Sequence, residues 1–471
     1  MRGLSVIVSF AVFLTAAADM VRDPESMKNY TQFGIATPGV TPEMLYADFW
    51  IANTTDADTI LMDWEAITKF NRIALDEEKT LVDLADYPKT LSGSKVAELA
   101  KSISSRPRSA RFHRFGAELG DADYERYFNN MALESIPKTV NVRFGVAVER
   151  GLIRTFPTAD KVTNSWKDPE VDMFVETAIY PGEAVAVLHT SRDGKFHLIQ
   201  KYNYLAWAPA ELIAIGSKKE VIDYVEATDF LVVTGAKVFP VHNPVKPDLS
   251  ERQFDMGCRI PLCTEDPGEI DRMGTEVGYA VILPRRGADG ELSFAPALIP
   301  RSADVNAGFL PYTRANILRQ AFKFTGERYG WGDDNNARDC SGFLVSVFSS
   351  FGLVMPRNGG AQESHPAGVF FDLSGLDNPA REQVLRGMLP GDSISSPTHI
   401  MMFIGAYGDE LYMIHDHLGS SFVVDGKVVN VDTRGVGVTP ILGYMISNGK
   451  RHYYEAFTGI KRFVLNEQER D

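Results

Sequence analysis

The chain has 471 residues, and at about 100–200 residues per domain this length predicts three or four domains. Apolar residues make up 44% and charged residues 23% of the sequence, which excludes a disordered or fibrous protein. The net charge of −14 argues against a nucleic-acid-binding surface and against attraction to anionic lipid.

The first 18 residues have the pattern of a secretory signal peptide. Arg2 precedes an apolar run from Leu4 to Leu14, and small residues follow at Ala16 to Ala18. A membrane anchor would need about 20 apolar residues, and no later stretch is long enough to span a bilayer. We therefore expect cleavage near Ala18 and export to the periplasm or the extracellular space.

The three cysteines are an odd number for an exported chain, which predicts one disulfide and one free thiol. Four residues separate Cys258 from Cys263 in a turn-rich stretch, so these two are the candidate pair. Cys340 is then the free thiol. The alternative is that all three cysteines are unpaired small apolar residues.

Residues 19–141 are predicted to form a helical N-terminal domain. Leu61, Trp64, Ile67 and Phe70 recur at three- or four-residue spacing, which places them on one face of a helix. That face is expected to be buried.

Two segments, residues 142–222 and 223–308, have the pattern of small β domains and are called the first and second β-rich regions. Short runs such as VNVRFGVAVE and FLVVTGAKVF alternate with Pro, Gly and Asp turns, one of them at Ala288-Asp289-Gly290. The Phe-Pro pairs in LIRTFPT and AKVFPVH indicate two related modules. Each is predicted to be a small antiparallel barrel or sandwich.

Residues 309–471, called the C-terminal region, contain a cysteine at the predicted start of a helix. In DCSGFLVSVFSSFG the large apolar residues follow the helical period, so the helix should begin near Cys340 with Asp339 as its N-cap. The helix dipole and the unpaired backbone N–H groups at this end favour a thiolate. Cys340 is therefore the candidate nucleophile.

Two histidines in the C-terminal region are candidates for the base. His399 opens the run HIMMFIGAYG and His415 closes ELYMIH, which predicts a β-hairpin. If its turn centres near Ala406 to Gly408, the two histidines lie opposite or nearly opposite one another, and one ring can hydrogen-bond to the other. This gives the nucleophile, base and orienting residue of covalent catalysis, although by spacing alone the same residues could belong to a core.

Five blocks of the C-terminal region, in order, resemble the NlpC-type cysteine peptidases of the bacterial cell wall. They are YGWGDDNNARDCSGF, MPRNGGAQ, LPGDSI, HIMMFIG and MIH, and the match spans about residues 310–460. The resemblance implies an α+β, multi-domain protein whose papain-like catalytic domain follows two SH3-like domains. The helical segment is similar to the N-terminal stabilising domain of such proteins.

The resemblance also implies roles for single residues. Cys340 falls on the nucleophile, His399 on the base, and His415 on the residue that orients the base. Asp339 and Ser341 match positions that help to hold the free amine of a terminal L-alanine. The family hydrolyses the γ-D-glutamyl bond to a diamino acid such as diaminopimelate in murein peptides, and it needs no cofactor or metal.

Further expectations concern the substrate cleft. In multi-domain relatives an aromatic residue of the first SH3-like domain caps the site and restricts it to short peptides, and Tyr204 is the candidate here. The sequence departs from the family where Gly359 replaces the usual Ser that contacts the amine, and where Trp331-Gly332-Asp333 lacks a second Gly. The strand HIMMFIG also lacks the usual Gly and Tyr.

Two alternative functions and an alternative role for Cys340 remain compatible with the sequence. The protein could be a peptidoglycan-binding scaffold with a degenerate peptidase domain, or an amidase or acyltransferase on the same fold. Cys340 could also join the stretch His415-Asp416-His417 as zinc ligands, although the spacing fits no common zinc motif. The sequence does not predict whether intact wall or released fragments are the substrate, nor the oligomeric state.

Overall fold

The computed structural model describes residues 35–114, 116–165 and 170–466. The predicted signal peptide lies outside these residues. Helices and strands alternate through several packed units, which confirms the α+β, multi-domain prediction. Within the described ranges, no helix has the length and apolar character needed to cross a membrane.

The N-terminal domain is mainly helical, as predicted, but its helices belong to two different cores. Its elements are α1 (Ala47–Ala52), β1 (Ile60–Met62), α2 (Trp64–Glu77), β2 (Thr90–Ser92), α3 (Gly93–Ile103), β3 (Phe112–His113), α4 (Asp121–Asn130) and β4 (Thr139–Asn141). Helices α1 and α2 pack on the C-terminal region, whereas α3 and α4 pack on the first β-rich region.

The buried face of helix α2 agrees only in part with the face predicted from the helical period. The Asp63 carboxylate caps the helix by accepting a hydrogen bond from the Ala66 backbone N–H at 2.9 Å. Ile67 and Phe70 are buried as expected, but Trp64, the first helical residue, is 60% exposed. The Trp64 ring stacks on Phe309 with centroids 5.6 Å apart, so it bridges to the C-terminal region instead.

The first β-rich region is an open antiparallel sheet. Its strands are β5 (Arg143–Ala147), β6 (Gly151–Arg154), β7 (Val162–Thr163), β8 (Val175–Ile179), β9 (Ala184–Thr190), β10 (Phe196–Lys201), β11 (Tyr204–Pro209) and β12 (Ile213–Gly216), followed by α5 (Lys218–Val225). Seven of them pair in the order β12-β5-β9-β10-β11-β6-β8. No pairing joins β12 to β8 among the described residues, so the predicted closed barrel is replaced by an open sheet.

The second β-rich region consists of several small sheets. Its strands are β13 (Phe230–Val233), β14 (Lys237–Val238), β15 (Phe254–Asp255), β16 (Arg259–Pro261), β17 (Glu269–Ile270), β18 (Met273–Gly274), β19 (Gly278–Arg286), β20 (Leu292–Pro300) and β21 (Val305–Ala307). The turn predicted at Ala288–Gly290 joins β19 to β20, with Gly290 at a φ of 85°. These strands form a three-stranded sheet, β16-β13-β21, and separate two-stranded pairs, and no barrel closes among the described residues.

The predicted disulfide is absent, and Cys258, Cys263 and Cys340 are all free thiols. Strand β16 lies between Cys258 and Cys263 and holds that stretch extended. At roughly 3.3 Å per residue, five extended steps separate the two cysteines by about 16 Å, whereas a disulfide needs Cα atoms within about 7 Å. All three cysteines are therefore unpaired, and the predicted pair was wrong.

The C-terminal region is a sheet with helices on both faces. Its helices are α6 (Arg314–Phe322), α7 (Cys340–Ser349), α8 (Gly359–Glu363) and α9 (Asn378–Leu385). Helices α6 and α7 pack in one core and α9 in another. Its strands are β22 (Tyr312–Thr313), β23 (Val369–Asp372), β24 (Ser393–Ser396), β25 (His399–Tyr407), β26 (Glu410–His417), β27 (Ser420–Val424), β28 (Lys427–Val431), β29 (Gly435–Pro440), β30 (Met445–Ile446), β31 (Arg451–His452) and β32 (Gly459–Arg462).

The main sheet of this region is antiparallel, with the order β23-β32-β24-β25-β26-β29. Helix α7 packs its buried Phe343 and Val347 against Ile400 and Met402 of β25 in one core. This packing confirms the apolar helical period of the sequence. It also sets the N-terminal end of α7 beside the beginning of β25.

Candidate active site

Cys340 is the first residue of α7, where the sequence predicts it. Asp339 has an extended backbone, with φ −99° and ψ 179°, and caps the helix through its carboxylate. Oδ1 of this carboxylate accepts hydrogen bonds from the Gly342 backbone N–H at 2.8 Å and from the Ser341 hydroxyl at 3.1 Å. The cap therefore fixes the residues on both sides of the thiol.

The two predicted histidines lie next to each other. Nε2 of His399 and Nδ1 of His415 are 2.8 Å apart, and Nε2 of His415 is 3.0 Å from the Thr439 hydroxyl. This chain of hydrogen bonds fixes the orientation of the His399 ring. Nδ1 of His399 has no hydrogen-bond partner in the described part of the chain, so it is the nitrogen available to accept a proton.

The hairpin that carries these histidines differs in register from the prediction. Tyr407 pairs with Glu410, so the turn is Gly408-Asp409, later than the predicted centre, and a bulge lies between Phe403 and Gly405. Extended to the start of β25, this register places position 417 across from His399. The His399 and His415 rings therefore meet diagonally, a distance that long side chains bridge.

The thiol lies beside the peptide that joins His399 to Ile400. The Ile400 backbone N–H points at the Cys340 sulfur and favours its ionised form. The structure thus brings the candidate nucleophile to the residue next to the candidate base. Together with the His399–His415 contact, this places all three predicted catalytic side chains in one cluster.

The charge state of this cluster differs from the prediction. Burial raises the pKa of the Cys340 thiol to about 12, and the negative charge of Asp339 acts in the same direction. Burial lowers the pKa of His399 to about 3. Both shifts favour a neutral thiol beside a neutral imidazole over the expected resting thiolate, because burial opposes the effect of the helix N-terminus.

Arg357 holds the residues that flank the nucleophile. Its Nη1 and Nη2 donate to the two carboxylate oxygens of Asp339 at 3.0 and 2.8 Å, and Nη1 also donates to the Ser341 hydroxyl at 2.8 Å. Asp339 and Ser341 are therefore together, as the resemblance implies. Their polar atoms are engaged by a guanidinium, however, so their predicted contact with a substrate amine stays a prediction.

Asp333, in the position where the family usually has a second Gly, belongs to the same network. Its backbone is left-handed, with a φ of 64°, and its carboxylate lies 3.2 Å from Arg357 and accepts a hydrogen bond from the Thr177 hydroxyl at 2.9 Å. Burial acts to raise the pKa of Asp333, but Arg357 and Thr177 outweigh it and the pKa is lowered. Asp333, which stands where the family usually has Gly, thus adds a second buried carboxylate that pairs with Arg357, beside that of Asp339.

This carboxylate also explains the glycine of the DCSG block. A Cβ added to Gly342 would lie only 2.2 Å from Oδ1 of Asp333. Asp333 and Gly342 are therefore a matched pair, in which the carboxylate occupies the space of the missing side chain.

Tyr204 reaches this network from the first β-rich region. It begins β11, and its hydroxyl donates to Oε2 of Glu176 at 2.5 Å. The Asn358 side chain also hydrogen-bonds to this hydroxyl, and the positive charge of Arg357 acts on it. Tyr204 is thus at the boundary between the two regions, where a cap would have to lie, and its role as a cap stays a prediction.

Sequence reasoning missed several residues of the site. Glu176 and Thr177 were not selected because they lie in β8 of the first β-rich region, far from the nucleophile in sequence, and Arg357 was noted only as part of the block MPRNGGAQ. Asp416 follows His415, is completely buried, and has no hydrogen-bond partner for either carboxylate oxygen among the described residues. Burial raises its pKa to about 9, so it is a neutral acid at pH 7.

The described residues contain no group of three or more His, Cys, Asp and Glu side chains that could hold a metal ion. The zinc alternative, with Cys340 and the stretch His415-Asp416-His417, therefore has no site in this part of the chain. The His415 and His417 rings are stacked instead, with centroids 3.8 Å apart.

Comparisons with known proteins identify two parts of the chain. The model of the NlpC/P60 family matches residues 326–433, and the model of the SH3 domain (SH3b1 type) matches residues 162–209. None of the curated proteins matches the chain.

One solved structure has the same fold. A structure of an NlpC/P60 endopeptidase from Photobacterium damselae subsp. piscicida is 17% identical, covers 89% of this chain and 98% of its own, and has a TM-score of 0.70. An NlpC/P60 family protein from Bacillus cereus is 19% identical over 68% of this chain and 99% of its own, with a TM-score of 0.47. The chain thus carries a cysteine peptidase domain of the NlpC/P60 family behind an SH3 domain of the SH3b1 type.

Proposed function

We propose that the protein is an exported endopeptidase that hydrolyses the γ-D-glutamyl bond to a diamino acid, such as diaminopimelate, in murein peptides. The observation that carries the proposal is the cluster of Cys340 with the hydrogen-bonded pair of His399 and His415. The family of the C-terminal region and the similar Photobacterium endopeptidase support a peptidase acting on the cell wall.

The reaction starts from the neutral thiol and imidazole. As the Cys340 sulfur attacks the γ-glutamyl carbonyl carbon, Nδ1 of His399 takes the thiol proton, and His415 holds the ring in place. The tetrahedral intermediate collapses to a thioester while His399 gives its proton to the leaving amine. Water, deprotonated by His399, then attacks the thioester and releases the glutamyl product and the thiol.

The start of α7 provides donors for the oxyanion. The Gly342 and Phe343 backbone N–H groups are bonded to Asp339, whereas those of Cys340 and Ser341 have no partner among the described residues. Two N–H groups at a helix start, beside the attacking sulfur, are suited to stabilise a developing negative charge.

The first β-rich region supports a preference for short peptides with a free N-terminal L-Ala. Glu176 places a carboxylate next to Tyr204 at the boundary of the site, where it can pair with an ammonium group. Gly359 lacks the hydroxyl that is usual in the family, and the carboxylate of Asp339 is already hydrogen-bonded to Arg357. We therefore assign part of the amine recognition to Glu176. Released murein fragments are therefore the proposed substrates.

Digestion of defined substrates tests the proposal. The tripeptide L-Ala-γ-D-Glu-diaminopimelate and intact murein are incubated with the wild type, with Cys340→Ala and with Cys263→Ala as the matched control. Release of L-Ala-D-Glu from the tripeptide alone, lost only in Cys340→Ala, is the expected result.

Each other outcome has a definite meaning. Cleavage of intact murein would contradict the restriction to fragments, and cleavage of an amide other than the γ-glutamyl bond would favour an amidase or acyltransferase. Binding of murein by the wild type without any cleavage would favour a non-catalytic scaffold.

A further inference from the structure

The loop that leads to the nucleophile has an unusual backbone. Left-handed φ angles occur at four of its residues, Gly332 (59°), Asp333 (64°), Asn335 (57°) and Asn336 (54°). Non-glycine residues adopt this conformation at an energetic cost, and such strain persists only where the surroundings hold it. Contacts from both β-rich regions restrain this loop.

One set of restraints comes from the first β-rich region. Nη2 of Arg150 donates to the carbonyl oxygens of Asp333 at 2.6 Å and of Ala337 at 3.3 Å. Lys161 lies 3.2 Å from the carboxylate of Asp334. These contacts hold the middle and the end of the loop from one side.

A second set comes from the second β-rich region. Gln253 and Asn336 form a reciprocal amide pair with distances of 2.6 and 2.8 Å, and Nζ of Lys237 donates to the Asn336 carbonyl at 2.6 Å. Asp255, which is 1% exposed, accepts a hydrogen bond from Nη2 of Arg338 at 2.9 Å. This region therefore reaches the chain two residues before Cys340.

Arg338 connects this contact to the helix of the nucleophile. Its side chain is completely buried, and Nε donates to the Ser346 hydroxyl of α7 at 2.9 Å. Nη1 pairs with Glu327 at 2.7 Å. The guanidinium therefore ties α7 to the loop that precedes it, and Asp255 is one of only two carboxylates that pair with it among the described residues.

We propose that Asp255, in the second β-rich region, is a positioning residue that acts through Arg338 to hold Cys340 in its reactive geometry. The proposal rests on the proposed function for its effect on catalysis, but not for its effect on the thiol. The second β-rich region would thus support catalysis without contacting the substrate.

Asp255→Asn in the full chain tests the proposal, with Asp248→Asn as the matched control. Asp248 lies in the same region and pairs with Arg285, but its side chain is 41% exposed. Displacement of a reacting atom by about 1 Å costs up to about 100-fold in rate, so we expect Asp255→Asn to lower kcat at least tenfold, with KM within about twofold. Asp248→Asn should leave both constants unchanged.

A second readout does not depend on the substrate. The rate of alkylation of Cys340 by iodoacetamide is followed against pH by peptide mass spectrometry, which separates it from Cys258 and Cys263. Asp255→Asn should change this rate at least threefold, and Asp248→Asn should not. If the wild type cleaves no murein peptide but this difference is found, the proposed function fails and the positioning role stands.

Unchanged alkylation and unchanged kcat in Asp255→Asn would overturn the proposal. The proposal would also be overturned if the changes in alkylation rate and kcat of Asp255→Asn were fully explained by the fraction of unfolded protein measured under the assay conditions. If Asp255→Asn does not fold, Gln253→Ala removes the hydrogen bond that the Gln253 amide donates to Oδ1 of Asp255 at 2.7 Å, together with the contact to Asn336, and it should lower kcat with little change of KM. An unchanged kcat in this variant would also contradict the proposal.

Discussion

Replacement of Arg357 by Met would remove the charge that joins the two acidic residues of the site. The variant leaves the carboxylates of Asp333 and Asp339, which are 2% and 9% exposed, without their guanidinium partner. Loss of one partner from a buried ion pair costs about 3–5 kcal/mol of the free energy of unfolding. We expect a loss of this size for Arg357→Met at pH 7.

The sign of the pH dependence follows from Asp333. Its folded-state pKa is below the unfolded value of about 4, so the pair contributes its stability above that pH and loses it as the pH falls through the folded pKa. Without Arg357, burial raises the pKa of Asp333, and the acid takes up a proton at a higher pH. The difference between wild type and variant is therefore largest near pH 7 and shrinks below about pH 4.

Urea unfolding followed by tryptophan fluorescence measures this difference, at pH 7 and at the lowest pH at which both proteins fold. Arg357→Lys is the control, since it keeps the charge but loses the bidentate contact with Asp339. Its free energy of unfolding should lie between those of the wild type and Arg357→Met. A loss below about 1 kcal/mol for Arg357→Met, or a loss that is equal at both pH values, would refute the reasoning.

Further predictions concern single residues of the site. Cys340→Ser should abolish hydrolysis without changing the urea midpoint, and His415→Ala should lower kcat by about 100-fold or more, with a smaller change in KM. Gly359→Ser should fold normally, because its Cβ meets no atom closer than 3.4 Å, and should lower KM for peptides with a free amine, whereas Gly359→Ala should not. Gly342→Ala should lower the urea midpoint, because its Cβ would lie 2.2 Å from the Asp333 carboxylate, and an unchanged midpoint would contradict this packing.

The catalytic cluster was predictable where its signals are local. The cap and the helical period identified Asp339 and Cys340, and the two apolar runs that His399 opens and His415 closes identified the histidine pair. The exact register was not predictable, because the bulge after Phe403 depends on packing against other elements. The charge of the thiol was not predictable either, since it follows from the depth of burial.

The remaining site depended on contacts between distant segments. Arg357 is a single basic residue after a proline, and nothing near it in sequence indicates that it meets Thr177, 180 positions away. The same limit applies to the open sheet of the first β-rich region. Strand number and patterning predicted a small β domain, but closure depends on which edges pair.

The core of the C-terminal region has a consequence for synthesis of the protein. Trp50 and Phe70 from the N-terminal domain and Phe463 near the other end of the chain are all buried in one cluster with α7. This cluster therefore cannot be completed until Phe463 has been synthesised. Trp50 and Phe70 lack this burial until then. Exposed aromatic surface of this kind is what chaperones bind, so the peptidase core should form in a single late step, only after Phe463 is available.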